Sequence, residues 1–261
     1  MDALDILTRE LRESVLWLTL NRPKVHNAMN RALICATREA VLAASRDPSV
    51  RVIVFVGAGD KAFSAGADIR EIAEYDSVQM AAYNRDWLDL FRAIERSPKP
   101  VIAGVKGWAT GGGTELSLAC DFVICSDTAR FGLAEINIGV IPGAGAAVRL
   151  TRWVGRLKAK ELLILGKLVS GQEAVELHLA NKCVAQVDLL TTVSSLAEEL
   201  ASKAPLAVAA AKASVNVGAE AELDTAVEYE LKEFLLLFES KDQREGMKAF
   251  LEKRLPKFQG R

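Results

Sequence analysis

Residues 101–150 limit what this chain can become more than any other stretch: VIAGVKGWATGGGTELSLACDFVICSDTARFGLAEINIGVIPGAGAAVRL. The segment begins as an apolar run with Val101, Ile102 and Val105, breaks at Gly111, Gly112 and Gly113, and resumes in the helix-like TELSLA. That order predicts strand, glycine turn and helix. Consecutive glycines let backbone approach a ligand closely, and a helix start leaves amides without partners. Two carboxylates follow, Glu115 in the first helical turn and Glu135 after a second apolar strand, DFVIC, and the FGLAE turn. Free donors beside two acids suit a reaction that stabilises an oxyanion while moving protons.

The same order occurs once before. VRVIVFVG (50–57) is a continuous β-branched run, as expected of a strand covered on both faces. It empties into the small-residue loop GAGDKAFSAGADIR (57–70), and a helix follows with Met80, Tyr83, Trp87, Phe91 and Ile94 on one stripe. Pro98 and Pro100 close it. The repetition predicts an α/β layered domain.

Upstream, residues 4–20 read as two strands around a charged turn at 9–14. NRPKVHNAMN then leads into a helix striped by Leu33, Ala36, Ala40, Val41 and Ala44 and ended by Asp47-Pro48. Beyond Leu150 the pattern is helical, at 156–165, from Gln172, and at 196–203, 205–217 and 223–238. The last helix carries Leu223, Val227, Leu231, Phe234 and Phe238 on one face, which calls for the core or a neighbouring subunit as its cover.

A chain of 261 residues can bury roughly three-quarters of the surface its unfolded form exposes, so one large domain needs no staples. A net charge of −1 provides no global field for nucleic acid or anionic membrane. Cys35, Cys120, Cys125 and Cys183 lie in apolar stretches without metal-like spacing and read as small buried hydrophobes in a reducing compartment. The two histidines, His26 and His178, are far apart, which argues against a His-based metal site or Ser–His catalysis. The opening MDALDILTRE has neither a secretory nor a transit pattern, and no apolar run approaches a membrane span. The expectation is a soluble cytoplasmic protein.

KAFSAGADI (61–69), GGGTEL (111–116), FGLAEINIGVIPGAG (131–145) and GMKAFLEKR (246–254) together resemble the enoyl-CoA hydratase/isomerase family, or crotonase superfamily, in order and over nearly the whole chain. The resemblance implies an α/β fold: a crotonase-like spiral of ββα repeats over residues 1–200, holding the CoA and active sites, then a helical trimerisation region at 201–261. It also implies reversible addition of water to a 2-trans-enoyl-CoA. Hydration builds negative charge on the thioester oxygen, which two backbone amides hold, here matched to Ala67 and Gly112. A water lies between Glu115, which orients and activates it, and Glu135, which supplies the α-proton. Two close carboxylates do not both ionise readily, so such a pair shares a proton near neutral pH.

Coenzyme A is part of the substrate, and the resemblance implies no further cofactor and no metal. The matching CoA-binding positions are Lys24, Lys61, Ala65, Ala67, Asp68, Ile69 and Arg70, with Phe250 and Lys253 lent by a neighbouring subunit of a trimer or dimer of trimers. Asp68 reads as an acid tying its loop rather than a catalyst. Ala134 stands where the family usually has proline, which loosens the approach to Glu135. His26 replaces a commonly apolar residue and is left as a ligand contact at most. Trp87 and Trp108 read as core residues.

Three other readings stay open. An isomerase moving a double bond needs only one positioned carboxylate, and a specialised hydratase takes branched or cyclic substrates. An RNA-binding member of the same fold would need a lysine-studded helix, whereas the helix at 31–46 offers only Arg31, Arg38 and Arg46.

Overall fold

The computed structural model describes residues 6–261. The strand expected from residue 4 and the opening decapeptide therefore lie partly outside the described residues. β1 (Leu7–Arg12) and β2 (Val15–Leu20) form an antiparallel hairpin. The Asn30 side chain then accepts from the Leu33 amide and caps α1 (Arg31–Arg46).

From there the chain coils. β3 (Val52–Gly57), β4 (Ala62–Ser64), the one-turn α2 (Ile69–Ile72) and α3 (Ser77–Glu95) make one coil. β5 (Val101–Val105), β6 (Trp108–Thr110) and α4 (Gly112–Ala119) make the next, and β7 (Phe122–Ser126), β8 (Arg130–Gly132) and α5 (Ala146–Ile164) a third. β9 (Leu168–Ser170), α6 (Gly171–Glu176) and β10 (Lys182–Val184) follow. In each coil the first strand enters one sheet and the second enters another: a six-stranded sheet ordered β1-β2-β3-β5-β7-β10 and a four-stranded sheet ordered β4-β6-β8-β9. This is the ββα spiral, and within the small sheet β4 runs parallel to β6 with Ser64 paired to Ala109.

The fully buried β3 and β5 explain their unbroken apolar sequences. Ile53, Phe55, Val101 and Ala103 belong to a cluster with Leu33, Val41, Phe91 and Ile94 of α1 and α3. On the other face Val52, Val54 and Ile102 meet Leu189, Val193 and Ala197 of α7 (Leu189–Ala201). That packing starts α7 well before residue 196, where the helix was expected.

α8 (Pro205–Gly218) is tied back to the spiral by the buried Lys212, whose Nζ lies 2.7 Å from Asp121 Oδ2 and donates to the carbonyls of Ile94 and Lys99. α9 (Leu223–Leu237) and α10 (Lys241–Leu251) complete the chain. Leu223, Val227, Leu231, Phe234 and Phe238 are all exposed, so nothing among the described residues covers the α9 stripe.

Other expectations are corrected. The charged turn at 9–14 is mostly strand, because among the described residues β1 pairs only with β2 and an edge strand tolerates charge on its free side. The helix expected from residue 156 begins at Ala146 and breaks at Gly155, where φ is 76°. Cys120 and Cys125 are buried, but Cys35 and Cys183 are only half-buried. Trp87 is core, whereas Trp108 is 43% exposed because its side of β6 is not covered. Among the described residues no helix is long and apolar enough to cross a membrane.

Candidate active site

The loop after β4 is held from several sides. The Met29 amide donates to Gly66 O at 2.7 Å and the Asp68 amide to Met29 O at 3.2 Å, bracketing Ala67. Asn27 Nδ2 donates to the carbonyls of Ala58 and Ala62, and the Ala65 amide to His26 O. The Asp68 carboxylate accepts from Arg22 Nη1 at 2.8 Å, so this acid does tie the loop. The Ala67 amide itself donates to no group among the described residues.

The loop after β6 is built alike. The Gly111 amide donates to Gly132 O at 2.8 Å and the Glu115 amide to Gly111 O at 3.0 Å, while the Gly112 amide, at the first position of α4, donates to no described group. The loops touch. At Gly66 φ is +84°, and a β-carbon there would stand 2.5 Å from Thr110 O. At Gly112 one would stand 2.8 Å from the indole ring of Trp87. Two unbonded amides thus emerge from neighbouring coils on a backing too close for side chains.

Glu115 lies in the first turn of α4 and is only 4% exposed. Its Oε1 accepts from the amides of Ala144 and Ala146 at 3.2 and 3.1 Å. Burial raises its pKa to about 7, the nearby Glu135 adds to the rise, and the two amides and the Arg149 cation oppose it. Glu135 opens a short 3-10 turn, Glu135–Ile138. Its Oε1 lies 2.9 Å from where a Gly111 β-carbon would sit. Its Oε2 is buried with no hydrogen-bond partner among the described residues, and burial raises this carboxyl too. Glu115 is therefore poised to hold or release a proton near neutrality, beside a second carboxyl whose proton affinity is also raised.

A family model for enoyl-CoA hydratase/isomerase matches residues 10–261. The chain belongs to the enoyl-CoA hydratase/isomerase family. Crotonyl-CoA hydratase of Syntrophomonas wolfei is 41% identical over 97% of this chain and 96% of its own. A short-chain-enoyl-CoA hydratase of Clostridium acetobutylicum is 37% identical over 95% of each. The crystal structure of an enoyl-CoA hydratase from Bacillus anthracis superimposes with a TM-score of 0.95 at 36% identity, covering 98% of this chain and 100% of the other.

As a member of this family, the chain groups most of the positions matched to CoA. Lys24, in the turn Pro23–Val25, is exposed, as are Lys61, Ile69 and Arg70, while Ala65, Ala67 and Asp68 are half-buried. Asn27 and His26 O join the Lys24 turn to the loop carrying the others. Phe250 and Lys253 do not bond to those loops, and Phe250 is 83% exposed at the end of α10. His26 is exposed, in a left-handed conformation with φ 53°.

Sequence reasoning missed Arg22, Asn27 and the amides of Ala144 and Ala146. The asparagine among the apolar residues of VHNAM was a signal for a loop-tying side chain. The glycines of PGAG were a signal that this turn approaches another group closely.

Proposed function

We propose that the chain hydrates short 2-trans-enoyl-CoA thioesters, reversibly, to 3-hydroxyacyl-CoA. The observation that carries this reading is the pair of unbonded amides, Ala67 and Gly112, beside the buried Glu115 and the half-buried Glu135, whose proton affinities are both raised. The thioester oxygen accepts from both amides. As water adds to the β-carbon, negative charge moves onto that oxygen, where preorganised donors are worth roughly 3–4 kcal/mol each. Glu115 accepts the proton of the attacking water and Glu135 gives one to the α-carbon. The pair is returned to its starting protonation by exchanging one proton.

Lys24, Lys61, Ala65, Asp68, Ile69 and Arg70 bind CoA on this reading, with Phe250 and Lys253 supplied by a neighbouring subunit. The exposed α9 stripe supports a homo-oligomer, a trimer or dimer of trimers, assembled through residues 201–261 beside a catalytic spiral of residues 1–200. Four free cysteines support a reducing, cytoplasmic setting, and CoA serves as part of the substrate rather than as a resident cofactor. Two raised carboxyls favour hydration over double-bond isomerisation. RNA binding is disfavoured because Asp86 lies 2.6 Å from Arg31 and 3.5 Å from Arg38, offsetting part of the positive charge of the helix that would carry it.

A panel of 2-trans-enoyl-CoA thioesters, followed by loss of conjugated absorbance, tests the reading. Turnover of a short-chain member is expected. Double-bond migration without hydration, or no reaction across the panel, overturns it.

A further inference from the structure

Arg149 lies in the first turns of α5 with its side chain folded back over Gly145, where a β-carbon would stand 2.5 Å from its Nη1. Nη1 donates to Ala144 O at 2.9 Å. Nε donates to Glu95 Oε1 on α3 at 2.6 Å, and the guanidinium carbon sits 5.4 Å from the centre of the Phe91 ring, one turn earlier on the same helix. The carbonyl it grips lies, along the chain, between the Ala144 and Ala146 amides that donate to Glu115 Oε1. A continuous path of carboxylate, guanidinium, peptide and carboxylate thus runs from α3 to the acid on α4.

We propose that Arg149, clamped by Glu95 and Phe91, is a positioning residue for Glu115: it holds the peptide that lies between the two donating amides, so that both face that carboxylate, and sets a positive charge behind them. This rests on the reading of Glu115 as the group that accepts the proton of water. Glu115 is faced by Glu135 from the turn before α5 and by Arg149 from α5, with Glu95 of α3 behind Arg149. β4 and β6, also packed on α4, bring no titratable side chain. Burial disfavours the ionised form of Glu115, and both the pinned amides and the cation oppose that effect. The arrangement is charge-balanced, because Glu95 tempers the cation.

That balance predicts opposite effects from its two members. Arg149→Met keeps the aliphatic stem, removes the charge and frees the Ala144 carbonyl. Glu95→Gln keeps an acceptor for Nε but removes the tempering negative charge. The kcat of hydration of a short 2-trans-enoyl-CoA is measured from pH 5 to 9 for wild type, both variants and Arg152→Met, a change on α5 like Arg149→Met that loses only an exposed ion pair with Glu220, just past α8. Arg149→Met is expected to move the acid limb up by about one pH unit, with KM within about threefold. Glu95→Gln is expected to move it down, and Arg152→Met to leave it in place. A folded Arg149→Met enzyme with an unmoved limb overturns the proposal; if that variant does not fold, an unmoved or upward limb in Glu95→Gln does so. A wild-type enzyme without an acid limb, or Glu115→Gln at wild-type rate, overturns instead the underlying role of Glu115.

Discussion

A β-carbon on Gly66 would stand 2.7 Å from the amide nitrogen of Gly112, so the two donor loops meet through a residue that has no side chain. The contact joins one coil of the spiral to the next at the point where both unbonded amides emerge.

Gly66→Ala therefore adds a collision to a left-handed backbone. The expected result is a loss of about 1–3 kcal/mol of stability, read by urea unfolding. Hydration should fall by about 10²-fold or more as the amides are pushed apart. Wild-type turnover in a folded variant would mean that the loops do not form the oxyanion site.

Glu135→Gln should lower kcat by roughly 10²–10⁴-fold while leaving acyl-CoA binding, measured by calorimetry, within a few-fold of wild type. Its Oε2 has no hydrogen bond to lose among the described residues, so the melting temperature should hold or rise. Unchanged turnover would remove Glu135 from the chemistry.

Glu115 ties stability to pH. Its folded pKa is raised from 4.5 to about 7, so the folded state keeps a proton that the unfolded chain releases. The resulting stability is complete below 4.5 and is lost as pH rises to about 7, an effect on the order of 3 kcal/mol for so buried a group. Glu115→Gln, which does not titrate, should gain stability relative to wild type between pH 5 and pH 8. Equal differences in unfolding free energy at the two pH values would contradict the shift.

Phe234→Glu places a charge in the exposed α9 stripe. Sedimentation velocity should show smaller species than wild type at equal concentration, with helix content by circular dichroism preserved. An unchanged sedimentation coefficient would place the subunit contacts elsewhere.

Much of this was legible in the chain because burial on both faces forces unbroken β-branched runs, as in β3, and because donor amides at a helix start demand glycine, as at Gly112. The three-residue strands β4, β6 and β8 left no periodicity to read. Trp108 misled because size alone suggested burial, whereas its place on the uncovered side of a short strand decides its exposure. The partners of Glu115 were hidden for a different reason. Main-chain amides some thirty positions away carry no letter of their own, and only the glycines around Ala144 betray how closely that turn approaches.

Ser64 and Ala109 face each other across β4 and β6, and Ala67 and Gly112 each lie three positions further along. The two donor loops thus start from adjacent paired strands, which in any sheet lie about 4.8 Å apart. Exchanging the walls that touch the acyl tail leaves that gauge unaltered. On the proposed reading, substrate preference in such a scaffold is free to drift while the grip on the thioester stays the same.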